Sequence, residues 1–285
     1  MDELNELRKA ARSRILLCIV LLAGLGIAVK LITQQFSSVL FALTLGIIIS
    51  ALLIKLPLDR YRDAYKHAFV RQALEPMFSD LTYAPDWGIP YDTIADTKSM
   101  DLEHVTFSAD DYLRASYHGV AFERSDVLIE HSVNRRHYVT FYGQWMILDF
   151  HRAFKANFHI VQNGFSGNIH SLRNVDLPFR NADLFHSEFR VYAKNPEAVF
   201  EFLNPALVKQ LQALSDRAGG KLMLCFEKNR LHAAIYNNSG SFEPGGLTKA
   251  TGRSEATDKI KREANWIVQF IDTIRRNDEL FQLEE

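Results

Sequence analysis

Two apolar runs open the chain. Residues 15–32, ILLCIVLLAGLGIAVKLI, contain one charge, Lys30, and residues 38–56, SVLFALTLGIIISALLIKL, contain only Lys55. Each run is close to the ~20 apolar residues that carry a helix across hydrocarbon, and a terminal lysine can snorkel to the headgroups. Both are apolar on every face, whereas a helix at the edge of a soluble core keeps a polar face. Only TQQFSS separates them, so the pattern predicts an antiparallel transmembrane hairpin over about 15–32 and 38–56. A cleaved signal peptide would be shorter and would not be followed at once by a second span. Small residues at four-residue spacing, Gly24 and Ala28 in the first run and Ala42, Gly46 and Ser50 in the second, predict close packing within the hairpin.

After Pro57 the pattern becomes amphipathic. Leu58, Tyr61, Tyr65, Ala68 and Leu74 form an apolar stripe, which predicts a new or kinked juxtamembrane helix over 58–78 starting at the proline. Residues 79–100 lose periodicity and gain Pro85, Gly88 and Pro90, the signature of an ordered connection. From 101 the alternation is that of strands: YLRASY, a tight turn at His118-Gly119, VAFERSDVLIEH, VTFYGQWMILDF with a second turn at Gly143-Gln144, FHIVQ and EFRVYA. Pro196 and Pro205 predict two short helices, the second closed by Gly219-Gly220. KLMLCFEKNRLHAAIYNN predicts a hairpin turning at Lys228 to Arg230. Four glycines in 238–253 predict a flexible connection. A helix from about Ser254 then carries Ile260, Ala264, Ile267, Ile271 and Ile274 as a stripe, for docking or for a short coiled coil. The expected organisation is 1–57 tail and spans, 58–78 juxtamembrane helix, 79–237 a mainly antiparallel α+β domain, and 238–285 the connection and C-terminal amphipathic helix.

Charge adds orientation. Arg8, Lys9, Arg12 and Arg14 precede the first span, Lys55, Arg60, Arg62 and Lys66 follow the second, and the connecting loop has no charge. Both termini and the domain are thus expected on the cytoplasmic side. Arg60, Arg62, Lys66 and Arg71 are the candidates for contact with anionic headgroups. Overall, 33 basic residues nearly cancel 34 acidic ones, so no global field for nucleic acid exists. The two cysteines, Cys18 and Cys225, each lie in an apolar run, which excludes a disulfide framework and a zinc site built from spaced pairs.

Catalytic motifs are lacking: AGGKL at 218–222 has no phosphate-loop spacing, and no GxSxG, HExxH or dinucleotide fingerprint occurs. Neither cofactor nor metal is expected, and His131 and His137, flanking SVNRR, share no face. The one constellation worth naming is DFHRAFKANFHIVQNGF, where Asp149 could orient His151 while Arg152 or Lys155 holds an anion. At a strand end the same groups serve as backbone caps. Glu123, Asp126 and Glu130 fall mostly on polar alternates of one strand, which predicts a solvated face.

The blocks YRDAYKHAFVRQALEPMFSDLTYAPDWGI, FYGQWMILDFHRAFKANFHIV, FHSEFRVYAKNPEAVFEFLNPALVKQLQAL and GGKLMLCFEKNRLHAAI, with FEP following, resemble the bacterial membrane proteins classed as the domain of unknown function 3137 family. The resemblance covers most of residues 15–245. It implies two N-terminal spans followed by a cytoplasmic domain in a bacterial cytoplasmic membrane, and it brings no activity or site residues. Family members often carry asparagine where this chain has His151, which argues against an obligatory base there. The expected function is a non-enzymatic, two-pass membrane module for interaction or regulation. Its partners would be the bilayer and a protein bound through the domain or C-terminal helix, with homo-oligomers possible. The alternative is a membrane-tethered enzyme or ligand binder using 149–155.

Overall fold

The computed structural model describes residues 2–33, 35–133, 136–165, 173–174, 188–195, 197, 199, 203, 205–248 and 252–282. Pro196 lies outside them. The chain divides into two compact units, Met1–Val70 with Phe242–Asp258, and Arg71–Ser241 with Lys259–Glu285.

The first unit is built on α1 (Asp2–Thr33) and α2 (Phe36–Leu74). Both are long and apolar enough to cross a membrane, and only 6% and 0% of their apolar windows are buried inside the chain. A core hairpin of a soluble protein would bury most of that surface; here Val20, Leu31, Phe41 and Leu52 point outward. Glycines let the helices touch, although not all the ones expected. A Cβ at Gly46 would lie 2.6 Å from Leu22 Cδ2, and one at Gly26 3.3 Å from Leu43 Cδ2, while Gly24 faces open space. The four-residue pattern therefore identified the contact in α2 and misplaced it in α1 by two positions. Pro57 does not start a helix either. It lies inside α2, which runs unbroken to Leu74, because proline removes one backbone bond and the remaining ladder continues around it. The FEP segment joins this unit: Phe242 is buried with φ 56°, and Glu243 receives Arg62 Nε at 3.0 Å and Lys66 Nζ at 3.3 Å.

The second unit is α+β. Among the described residues, nine strands form one wholly antiparallel sheet in the order β1-β2-β3-β4-β9-β8-β5-β7-β6. They are β1 Ser79–Ala84, β2 Val105–Tyr117, β3 Val120–Val133, β4 Arg136–Asp149, β5 Phe158–Gln162, β6 Arg173–Asn174, β7 Phe189–Ala193, β8 Lys221–Glu227 and β9 Arg230–Tyr236. The β2–β3 turn is His118-Gly119 as predicted, with φ 48° and 79°, the positive pair a two-residue hairpin turn requires. Gly143-Gln144 is no turn: β4 runs straight through it. A Cβ at position 143 would sit 1.9 Å from the Ile235 carbonyl oxygen, so the glycine is there because β9 backbone passes too close for a side chain. The connection expected over 79–100 contains β1 and a short helix, α3 (Tyr91–Ala95). Its Ile89 and Ile94 pack with Ile129, Phe141, Trp145 and Met223 into a core on one sheet face.

The opposite face is covered by α4 (Pro205–Ala218) and α5 (Arg253–Arg275), the latter starting one residue before Ser254. Leu207 and Leu211 of α4 are buried, as are Ile260, Ala264, Ile267, Ile271 and Ile274 of α5. Trp266 Nε1 donates to Gln144 Oε1 at 3.1 Å, and Gln144 alternates with core-facing Trp145, which fixes the side of the sheet that α5 occupies. The α5 stripe is thus spent on its own chain.

Candidate functional site

The segment that carried the sequence-level candidates ends β4 and turns. Asp149 Oδ1 accepts from the His151 backbone N–H at 2.9 Å and from Asn229 Nδ2 at 2.7 Å. His151 takes the left-handed conformation, φ 57°, and its Nδ1 lies 3.6 Å from the same carboxylate on an exposed side chain. Arg152 Nη1 donates to Asp278 Oδ1 at 2.8 Å and stacks its guanidinium 4.7 Å above the Phe281 ring. Backbone bonds from Lys155 N–H to Leu280 O (2.9 Å) and from Gln282 N–H to Ala153 O (2.8 Å) complete the contact. Phe150, Phe154 and Phe281 stack beneath it. Asp149, His151 and Arg152 thus share one turn but do not converge on one point, and Arg152 is engaged by residues 278–281.

The basic candidates near the spans also separate. Lys66 is buried and, with Arg62, faces Glu243; Arg71 pairs with Glu75 at 2.9 Å. Arg60 is exposed beside a groove that also holds Arg14.

Asp126 corrects the expectation of a solvated face. It is 2% exposed and paired with Arg124, itself 1% exposed, at 2.6 Å. Ser241 donates its Oγ–H to Asp126 Oδ1 at 2.8 Å and its backbone N–H to Asp126 Oδ2. Nearby, a bulge in β2 places Asp111 at φ 54°, where it accepts from Tyr83 Oη at 2.5 Å. Burial, then the Asp111 charge, raise the Tyr83 pKa, so the phenol remains a donor. The carboxylates of Asp110, Asp111 and Asp126 approach within 4.8 Å of one another. Arg124, Tyr83 and Ser241 occupy the oxygens of the two buried ones, which makes the group a hydrogen-bonded network of the fold.

The most distinctive chemistry lies elsewhere, in a row across three strands. His159 on β5 stands opposite Cys225 on β8, and Cys225 opposite His232 on β9; all three are buried. His159 Nε2 lies 3.1 Å from the Thr97 carbonyl, which assigns its proton to Nε2. Its Nδ1 is buried with no hydrogen-bond partner among the described residues. Burial holds its pKa down to about 4 against the opposing pull of Thr97. His232 accepts from Trp145 Nε1 at 3.4 Å and is also held at about 4, by burial first and then by Arg230 and His159. The Cys225 thiol is pushed up to about 12 by burial and then Glu227, which leaves it non-nucleophilic. The segment after α3 roofs this row: Thr97 Oγ1 donates to Ile94 O at 2.7 Å, and Lys98 adopts φ 52°. A cavity of about 180 Å³, lined among others by Asp96, Lys98, Asn157 and Lys194, opens above His159 and Cys225. A neighbouring one of about 410 Å³ reaches His232 and Arg230.

Sequence reasoning missed this row because its members come from FHIVQ, KLMLCF and RLHAAI, strands far apart in the chain. A signal did exist for one pair. The turn is Lys228-Asn229, with Glu227 opposite Arg230; the three-residue turn expected from sequence shifts the register by one and removes His232 from Cys225.

With the geometry in place, relatives can be compared. The family profile described as "Protein of unknown function (DUF3137)" matches residues 139–276, which bears out the resemblance and carries it through the C-terminal helix. No curated protein matches. Among solved structures, the mycobacterial trehalose monomycolate transport factor A, TtfA, is similar at 11% identity and a TM-score of 0.38. The match covers 72% of this chain and 91% of that one. A likeness that distant carries no argument about what this chain does.

Proposed function

We propose that this protein is a non-enzymatic, two-pass module of the bacterial cytoplasmic membrane, presenting its α+β domain and both termini to the cytoplasm for a protein partner. One observation carries the reading: the apolar windows of α1 and α2 are almost wholly unburied, with basic residues at both outer ends and none in the connection. The pairing of Arg152 with Asp278 supports the non-enzymatic part, since it commits the best anion-holding group of the 149–155 segment to the fold. Labelling of single cysteines in intact cells tests the topology. Residues 5 and 103, the latter exposed on the domain, should be protected from an impermeant maleimide and residue 35 should react; labelling at 103 in intact cells would end the proposal. Cross-linking from native membranes should then capture a discrete protein partner, and turnover abolished by substitution in the domain would overturn the non-enzymatic part.

A second reading is favoured by the bare Nδ1 of His159. It is that the cavity above the histidine row binds a small ligand with a hydrogen-bond donor aimed at that nitrogen. A thermal-shift screen of polar small molecules against the wild type and His159→Phe tests it. Hits should stabilise only the wild type, and equal shifts in both proteins would remove the reading.

A further inference from the structure

We propose that the groove between α1 and α2, at the ends where the chain enters and leaves the bilayer, binds one anionic phospholipid. The proposal rests on reading α1 and α2 as membrane spans. The groove has a volume of about 300 Å³. From α1 it is lined by Leu7, Ala10 and Arg14, at i, i+3 and i+7, a single helical stripe. From α2 it is lined by Leu53, Leu56 and Arg60, spaced in the same way. The helix contacts Gly26–Leu43 and Gly46–Leu22 set the antiparallel register. Continued outward, that register brings Arg14 level with Lys55 and Arg60 level with Lys9. The backbones that carry the two arginines are therefore about five residues, roughly 7 Å, apart along the axis.

Charge and shape select the occupant. Among the described residues no acidic one lines the groove, and neither Arg14 nor Arg60 is engaged by another of them. Of the other cations near these helix ends, Arg62 and Lys66 are committed to Glu243, Arg8 to the Leu247 carbonyl and Arg12 to that of Thr248, while Lys9 and Lys55 do not line the groove. Two guanidinium forks at successive levels fit a phosphodiester, which each can hold through paired N–H donors. The lower wall is exposed leucine, with Leu53 and Leu56 46% and 58% accessible, and it continues into the apolar span. A soluble anion has no use for that wall; an acyl chain does. A choline headgroup would bring its cation against two arginines, whereas a glycerol headgroup would not. The occupant is accordingly a lipid of the phosphatidylglycerol type.

The test uses the full chain in bilayers of phosphatidylcholine with a minor fraction of phosphatidylglycerol, reading co-purified lipid by native mass spectrometry. The wild type should retain phosphatidylglycerol over phosphatidylcholine by about tenfold or more, given roughly fivefold per arginine at the surface. Arg14→Gln/Arg60→Gln should bring the ratio close to that of the surrounding bilayer. Lys9→Gln/Lys55→Gln, with the same loss of charge outside the groove, should lower it far less. Ala10→Trp, which fills the groove and keeps both arginines, should also lower retention and decides the matter if the arginine variant does not insert. Unchanged retention in the arginine and tryptophan variants, or an equal fall in the lysine control, overturns the site. Resistance of the same preparation to alkaline carbonate separates the two ideas. An inserted chain without lipid preference sinks the site alone, and an extracted chain sinks the spanning reading with it.

Discussion

His151 and His159 stand eight positions apart in one segment and lead opposite lives. His151 is exposed, in a left-handed turn, 3.6 Å from the partly buried Asp149 carboxylate. His159 is buried, bonded to one backbone carbonyl and held neutral. The same contrast separates two arginine–aspartate pairs of nearly equal length. Arg152 and Asp278 meet at 2.8 Å with the aspartate side chain 79% exposed; Arg124 and Asp126 meet at 2.6 Å with both nearly sealed. Residue type and distance are shared, so solvent sets the difference. In water a charge pair exchanges one good environment for another, whereas in the interior the partner and the Ser241 bonds must together replace lost hydration.

The largest expected effect tests the sealed pair. Asp126→Ala strands the Arg124 guanidinium in the core and should cost about 3–5 kcal/mol by denaturant titration of the detergent-solubilised chain. Arg124→Met combined with Asp126→Leu should recover most of that loss, because an apolar pair needs no hydration to replace. A single-variant loss under about 1 kcal/mol would show that water reaches the pair, and the contrast would collapse.

Next come the histidines. In the unfolded chain they bind protons below pH 6.5, and in the folded chain only near pH 4. Their burial therefore leaves stability intact above pH 6.5 and erodes it as the pH falls from there towards 4, because the unfolded state binds more protons in that window. Each shift is worth about 3 kcal/mol at most. His159→Phe and His232→Phe should each flatten the stability profile between pH 6.5 and 4. A wild-type profile already flat across that window would refute the buried-neutral assignment.

Much of this contrast was invisible in the sequence, for a definable reason. The spans were legible because a bilayer imposes length and composition on them. The β2–β3 turn was legible because His118-Gly119 meets a local backbone demand. Gly143 misled because the demand on it is not local: it comes from the Ile235 carbonyl across the sheet. Asp126 looked solvated because FERSDVLIEH alternates like an amphipathic strand, and nothing local announces that Arg124 and Ser241 close over its polar face. Cys225 and His232 needed only one residue of turn length to be paired correctly. Burial is a property of pairing partners, and pairing is where one chain read alone is weakest.

Phe281→Ala should cost about 3 kcal/mol, the low end for truncating a buried phenylalanine. Phe281 fills the site between Phe150 and Phe154 under the Arg152 guanidinium. The loss should appear together with faster amide exchange at Lys155 and Gln282, whose N–H groups donate to the Leu280 and Ala153 carbonyls. A loss without that local exchange would place the strain elsewhere.

The smallest effect is the sharpest test of the comparison. In a double-mutant cycle of Arg152→Ala and Asp278→Ala, the coupling energy should fall within about 0.2–1 kcal/mol and shrink further in 0.5 M salt. The Arg124–Asp126 cycle, run alongside, should be several times larger and insensitive to salt, because mobile ions do not reach a buried pair. Arg152→Ala alone should exceed the coupling term, since it also removes the stacking over Phe281. Arg152→Lys should keep much of the ion pair while losing the planar stack. If the exposed pair instead coupled as strongly as the buried one, the 278–282 tail would be holding it in a sealed state, and the turn would belong with the interior.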